Sequence, residues 1–285
     1  MTAVAVAKKD FRDAVQSRAL WSLVVVFVML SVLSTYAYVS VPQMFGEPGG
    51  ATFTGLIFFS VGLTGLFVPL AALVVCYKSL AGERELGSIK LLLSLPTTRR
   101  AVFSGKVLGR AAVLAFALGV GLLVGLGFGS ILLGSINAAL LIGFLLVSLG
   151  FAGVYAAIMV SLSAMTGSTT RATTFTLGFF VVFELFWDVI PLALLYVVNG
   201  FSLPMTMPEW LAPMALISPS SAYLSSISAL FPELAGQVGA APNVGAESAS
   251  IESLYLAPEL GIVILGAWFG IAVACGYIRF NTSDL

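Results

Sequence analysis

The chain has 285 residues, of which 59% are hydrophobic and only 9% charged, and its formal net charge is zero. Soluble domains carry about 25% charged residues, so a chain with a mean hydropathy of +1.07 has too little polar surface for water and no basic face for nucleic acid. Histidine is absent, which removes the commonest general base and the commonest metal ligand.

In chain order, residues 1–19 come first as a cytoplasmic interfacial helix. Val4, Phe11, Ala14 and Val15 share one helical face, while Lys8, Lys9, Arg12 and Arg18 lie mainly elsewhere. That pattern suits an amphipathic helix on a membrane surface; the plainer alternative is a solvated, positively charged flank.

A spanning helix needs about 20 mostly apolar residues. Six stretches meet that length: 20–39, 55–78, 107–133, 138–164, 172–198 and 257–278. The first reads as a retained helix, because Asp10 and Asp13 precede it and no small-x-small cleavage site follows. The third and fourth are divided at Gly134-Ser135-Ile136-Asn137, a composition that fits a tight turn. The expected fold is therefore an all-α membrane protein with six transmembrane helices in one domain covering 1–285.

With six spans, all 13 lysines and arginines fall on one face, and the other receives Glu47, Glu209, Glu233, Glu247, Glu252 and Glu259. Positive residues are retained on the cytoplasmic side, so both termini are expected to be cytoplasmic, in the cell membrane. Cys76 and Cys275 fall within apolar runs near cytoplasmic helix ends, without partners at metal-ligand spacing. They read as packing residues, and no metal site is expected.

Two connections stand out. Residues 79–106 open with Gly82-Glu83-Arg84-Glu85-Leu86-Gly87-Ser88, continue through an apolar turn, and stop at Pro96. A short helix of that character can dock on a soluble partner or lie on lipid. Residues 199–256 form a large extracytoplasmic segment. Pro208-Glu209-Trp210 reads as a helix start within it, Trp210 and Tyr223 suit interfacial anchoring, and 236–250 is a Gly/Ala/Ser/Pro-rich loop. Met205, Met207 and Met214 have thioethers suited to cuprous ions, or to burial at the membrane interface.

Inside the spans, Gly121, Gly125 and Gly129 recur every fourth residue, a spacing that lets helices approach closely in lipid, within one subunit or between copies. Glu184 and Asp188 stand at i,i+4 in the fifth span, beside Phe183 and Trp187. A carboxylate in hydrocarbon is costly, so the pair either lines a transport route or makes a polar contact between helices. No clear internal repeat or Gly/Pro-broken span is evident.

The stretch 82–110 resembles the permeases of the ABC-2 exporter family, on Glu83, Glu85, Gly87, Ser88, Leu91, Leu92, Leu93, Pro96, Arg99 and Lys106. Phe67-Val68-Pro69-Leu70, Asp188, the 208–211 stretch and Ser218-Pro219-Ser220-Ser221-Ala222-Tyr223 are similar to the NosY-type branch, associated with maturation of nitrous-oxide reductase. The resemblance implies a non-catalytic subunit that forms the translocation route and pairs with a second copy and two copies of an ABC ATPase subunit. It implies ATPase coupling through Glu83, Arg84, Glu85, Gly87, Ser88, Leu91, Leu92, Leu93, Pro96 and Arg99, with Glu184 and Asp188 on the route.

No Gly-x-x-x-x-Gly-Lys-Ser/Thr loop occurs, since Gly105-Lys106-Val107 lacks the first glycine and the hydroxyl residue. Mg-ATP is thus expected on the partner, and no cofactor on this chain. The extracytoplasmic segment leaves room for an accessory protein. The competing reading is an ion-coupled secondary transporter that uses Glu184 and Asp188.

Overall fold

The computed structural model describes residues 2–44, 51–89, 97–202, 204, 208, 210–231 and 259–283, and every regular element among them is helical. The helices are α1 (Ala3–Val15), α2 (Arg18–Met44), α3 (Phe53–Cys76), α4 (Ala81–Glu85), α5 (Arg99–Leu133) and α6 (Ala138–Ala164). After α7 (Thr169–Phe180) the chain winds as a π-helix over Val181–Phe186, then continues as α8 (Val189–Val198), α9 (Leu211–Ala215), α10 (Pro219–Leu230) and α11 (Leu260–Asn281).

Short polar side chains set several starts. Thr52, Thr98, Asn137 and Ser218 each accept a hydrogen bond from the backbone N–H three residues on, at 3.1–3.2 Å. That satisfies amides which helix geometry leaves without partners. At the far end of α5, Gly134 takes a left-handed φ of 64°, the conformation that lets glycine stop a helix.

Five of these helices are long and apolar enough to cross a membrane, and a sixth crossing follows if α7, the π-turn and α8 count as one span. That sixth unit bends by 66°. Pro191, in the first turn of α8, has no N–H for the carbonyl four residues back, and the π-turn adds a further break in register. The straight span expected over 172–198 is therefore corrected to a broken one.

α6 sits at the centre. The run from Ala156 to Val160 is buried on every side, as a helix must be when neighbours surround it. α3, α5, α7, α10 and α11 all pack against it.

The most extensive packing is between α5 and the two N-terminal helices, and glycines permit it. A Cβ added at Gly105 would lie 2.6 Å from that of Val6, at Gly109 2.8 Å from that of Asp10, at Gly121 2.7 Å from that of Phe27, and at Gly125 2.6 Å from that of Ser31. Thr35 Oγ1 donates to the Gly125 carbonyl at 3.1 Å across the same seam. The Gly121-Gly125-Gly129 stripe is thus used within the subunit.

Three local expectations change. α1 packs Phe11, Ala14 and Val15 of its apolar face against the core and also buries Val6 and Asp10 against Gly105 and Gly109, while Val4 of that face stands 69% exposed. Residues 99–106, read as connection, are the first turns of α5. Within 199–256, α10 packs among α3, α6 and α11, with Tyr223 fully buried, stacked 4.3 Å from Phe151 and hydrogen-bonded to Ser148 at 2.8 Å. Tyr223 is a core residue, not an interfacial anchor. Residues 236–250, Met205 and Met207 lie outside the described residues.

Replacing Gly121 or Gly125 by alanine forces the α2–α5 seam apart and is expected to cost about 1–3 kcal/mol. Gly127→Ala, where an added Cβ meets open space, is expected to be neutral or to stabilise by up to about 1 kcal/mol through helix propensity. Thermal unfolding of the solubilised protein measures both signs.

Candidate functional site: a charged elbow and an intramembrane carboxylate

At one end of the bundle the chain makes an elbow between α3 and α5. α4 is only 5 residues long, too short to hold itself as an isolated helix, and its neighbours supply what it lacks. Ser163 Oγ, fully buried at the end of α6, accepts from the backbone N–H of Leu80 at 3.3 Å and of Ala81 at 3.1 Å. In return Arg84 Nη1 donates to the last carbonyl of α6, Ala164, at 3.2 Å. Glu85 Oε2 accepts from the first amide of α7, Thr169, at 2.7 Å. Bonding to Thr169 also holds the Glu85 carboxyl below its usual range. Each helix end completes its neighbour.

Beneath the elbow lies a buried charge cluster. Lys106 Nζ sits 2.7 Å from Asp10 Oδ1 and 2.6 Å from Glu83 Oε1, and Arg110 Nε is 3.2 Å from Asp10 Oδ2. The side chains of Lys106 and Asp10 are 8% and 5% exposed. Two cations and two anions thus join α1, α4 and α5 in a place where an unpaired charge would be expensive.

Of the residues assigned to coupling, Glu83 and Arg84 point into the subunit and Glu85 bonds along its surface, fastening the elbow to α5, α6 and α7. Gly87 takes a φ of 69°, and Ser88 Oγ donates to the Glu83 carbonyl at 3.2 Å. Arg99 Nη1 reaches the carbonyls of Asn281 at 2.8 Å and Ser283 at 2.9 Å, closing the end of α11. Leu91, Leu92, Leu93 and Pro96 lie outside the described residues. What the elbow presents outward is Leu86, 83% exposed. Asp10, Ser163 and Leu86 carry no signal in the sequence, because spacing does not reveal that α1 folds back onto α5.

The second site is at mid-bundle. Pro69 interrupts α3 and leaves the Gly65 carbonyl without its helical donor. Ser220, in the first turn of α10, brings its Oγ within 3.3 Å of that carbonyl and 2.8 Å of both Glu184 carboxylate oxygens. Tyr155 Oη, on α6, donates to Glu184 Oε1. Glu184 therefore ties the π-turn to α6 and to the N-terminus of α10, whose dipole favours a nearby carboxylate.

Asp188 is exposed at the bend. The two acids differ in surroundings: Glu184 is half-buried against Tyr155 and Ser220, while Asp188 faces outward. Beside them, Phe183 stacks between Phe179 and Trp187 at 4.6 and 4.9 Å.

An open groove of about 870 Å³ runs between α3 and α7, with Tyr77, Lys78, Thr170, Thr173 and Thr174 along its polar part. The hydroxyls of Thr173 and Thr174 donate to carbonyls four residues back, at 2.8 and 3.1 Å, which lowers the cost of placing them in an apolar surrounding.

Lys106→Met, leaving Glu83 without a counter-ion and Asp10 with Arg110 alone, is expected to lower stability by about 3–5 kcal/mol. Arg171→Gln, at an exposed site, is expected to change it by less than about 0.5 kcal/mol. Denaturant unfolding followed by tryptophan emission distinguishes the two.

Comparison with known proteins agrees with this architecture. Two relatives are each described as a probable ABC transporter permease protein NosY. The one from Pseudomonas aeruginosa is 28% identical over 285 residues, 97% of this chain and 96% of the relative. The one from Stutzerimonas stutzeri is 26% identical over 284 residues, with 97% and 96% covered. These matches do not favour the ion-coupled secondary transporter. Residues 4–285, nearly the whole chain, match the model described as ABC-2 family transporter protein, and with several membrane-length apolar helices the chain belongs to that family as a multi-pass membrane subunit of an ABC transporter.

Proposed function

We propose that this subunit works as the permease of an ABC exporter in the cytoplasmic membrane, paired with a second copy and driven by two copies of a separate ATPase subunit that holds Mg-ATP. The basic end faces the cytoplasm, with both termini there, and the segment 83–96 serves as the coupling element. The observation that carries this reading is the elbow itself: Leu86 is 83% exposed at its tip, while Glu83, Arg84 and Glu85 are bonded to α5, α6 and α7. A push on Leu86 is thereby delivered to three helices together, the rigid-body coupling such a transporter needs.

The translocation route lies along the α3–α7 groove, closed by the second copy. Threonines exposed on a membrane helix favour a protein or aqueous surrounding over lipid, and the exposed Asp188 lies farther along the same bent span. Glu184 acts as a structural clamp within each subunit. Outward movement of cargo, and a role similar to that of the NosY permeases, rest on the family likeness.

Leu86→Asp is expected to abolish stimulation of the ATPase by this subunit, and its co-purification with the ATPase, while leaving the thermal stability of the permease unchanged. Full stimulation in that variant would reject the elbow as the docking element. Single cysteines placed at Ser88 in a cysteine-free chain are expected to react with a membrane-impermeant maleimide only after cells are opened. Labelling of intact cells would reverse the orientation.

A further inference from the structure

A second cavity, of about 630 Å³, opens at the basic end between α1, α2, α3 and α5. Its size is that of a ligand pocket, and its lining is divided. Leu23, Val26, Val74 and Val113 form an apolar wall, while Asp10, Asp13, Glu83, Lys106 and Arg110 gather at the other end. Val26 and Val74 are 49% and 59% exposed, so the mouth opens on the side of the bundle that lipid chains touch.

The polar end is not electrically closed. Three carboxylates face two cations, and Lys106 and Arg110 are already engaged with Asp10 and Glu83. Glu83 Oε2 has no hydrogen-bond donor, and neither has Asp10 Oδ2, whose Arg110 neighbour is near but misaligned, although Asp10 is 95% buried. Asp13 is exposed at the rim and makes no ion pair among the described residues. Arg110 Nε, equally without a hydrogen-bond partner, lies against that Asp10 oxygen and offsets it, so the acceptors left over are Glu83 Oε2 and the Asp13 carboxylate, which suit a ligand that brings N–H groups and positive charge.

We infer that this cavity is a binding site for a phospholipid with a primary-ammonium headgroup, the ammonium on Asp13 and the carboxylate cluster and one acyl chain along Leu23, Val26 and Val74. The charge count selects against an anionic headgroup, and the need for donors selects against a quaternary ammonium, which carries the same charge but no N–H. Such a lipid would lie against both the N-terminal helix and Glu83 of the elbow, so its occupancy would bear on the same cluster that holds the elbow in place.

The test uses the full chain in nanodiscs of equal parts phosphatidylethanolamine, phosphatidylcholine and phosphatidylglycerol, with retained lipids counted by native mass spectrometry. Phosphatidylethanolamine is expected to be enriched roughly tenfold in the last lipid retained, the worth of about one charge-assisted hydrogen bond. Asp13→Asn is expected to remove most of that preference. Val74→Trp is expected to displace the lipid itself, with circular dichroism and the melting temperature confirming that both variants fold. Equal retention of the three lipids, an undiminished preference in Asp13→Asn, or displacement by free ethanolamine would each overturn the assignment.

Discussion

The structure turns on the pairing of Lys106 with Asp10 and Glu83. A lysine so deeply buried is tolerable only with its counter-ions in place, and those counter-ions come from helices far apart in sequence. The pairing therefore fixes where α1 lies and how the elbow is set against α5 at once. Glycines at 105 and 109 make this possible, since a side chain at either would lift Asp10 out of reach of the ammonium. Electrostatics and backbone clearance specify one geometry together.

A second constraint is the low tolerance of hydrocarbon for unsatisfied backbone groups. Several helix ends and one helix break are completed by side chains from elsewhere. Ser163 and Arg84 exchange caps between α6 and α4, Arg99 closes α11, and Ser220 attends the carbonyl that Pro69 releases. These bonds also couple the elements they join. Moving α4 disturbs the ends of α6 and α7, and moving α10 disturbs the contact of Glu184 with Tyr155.

Much of this was legible in the sequence. Apolar runs of membrane length located the helices, and the glycine stripe correctly announced a close helix contact, since Gly121 and Gly125 have only their periodicity to explain. The elbow was visible as charges around a short apolar turn. What was hidden depends on tertiary partners. Nothing local says that Glu83 turns inward to Lys106 rather than outward. Tyr223 reads as a surface aromatic until its hydroxyl finds Ser148. The bend at residues 187–189 was obscured because the stretch stays apolar enough to span despite Glu184, Asp188 and Pro191, and hydropathy does not register a change from α- to π-winding.

The length of α5 has one more implication. Its 35 residues extend about 52 Å, against a hydrocarbon thickness of about 30 Å. The portion bearing Arg99 and Lys106 thus projects as a lever arm. Pivoting at mid-helix by roughly 5° sweeps its tip through about 2 Å, enough to break a hydrogen bond. A small tilt among the buried helices is magnified at the protruding end, and a small displacement imposed there is geared down into a finer, more forceful movement within the bilayer.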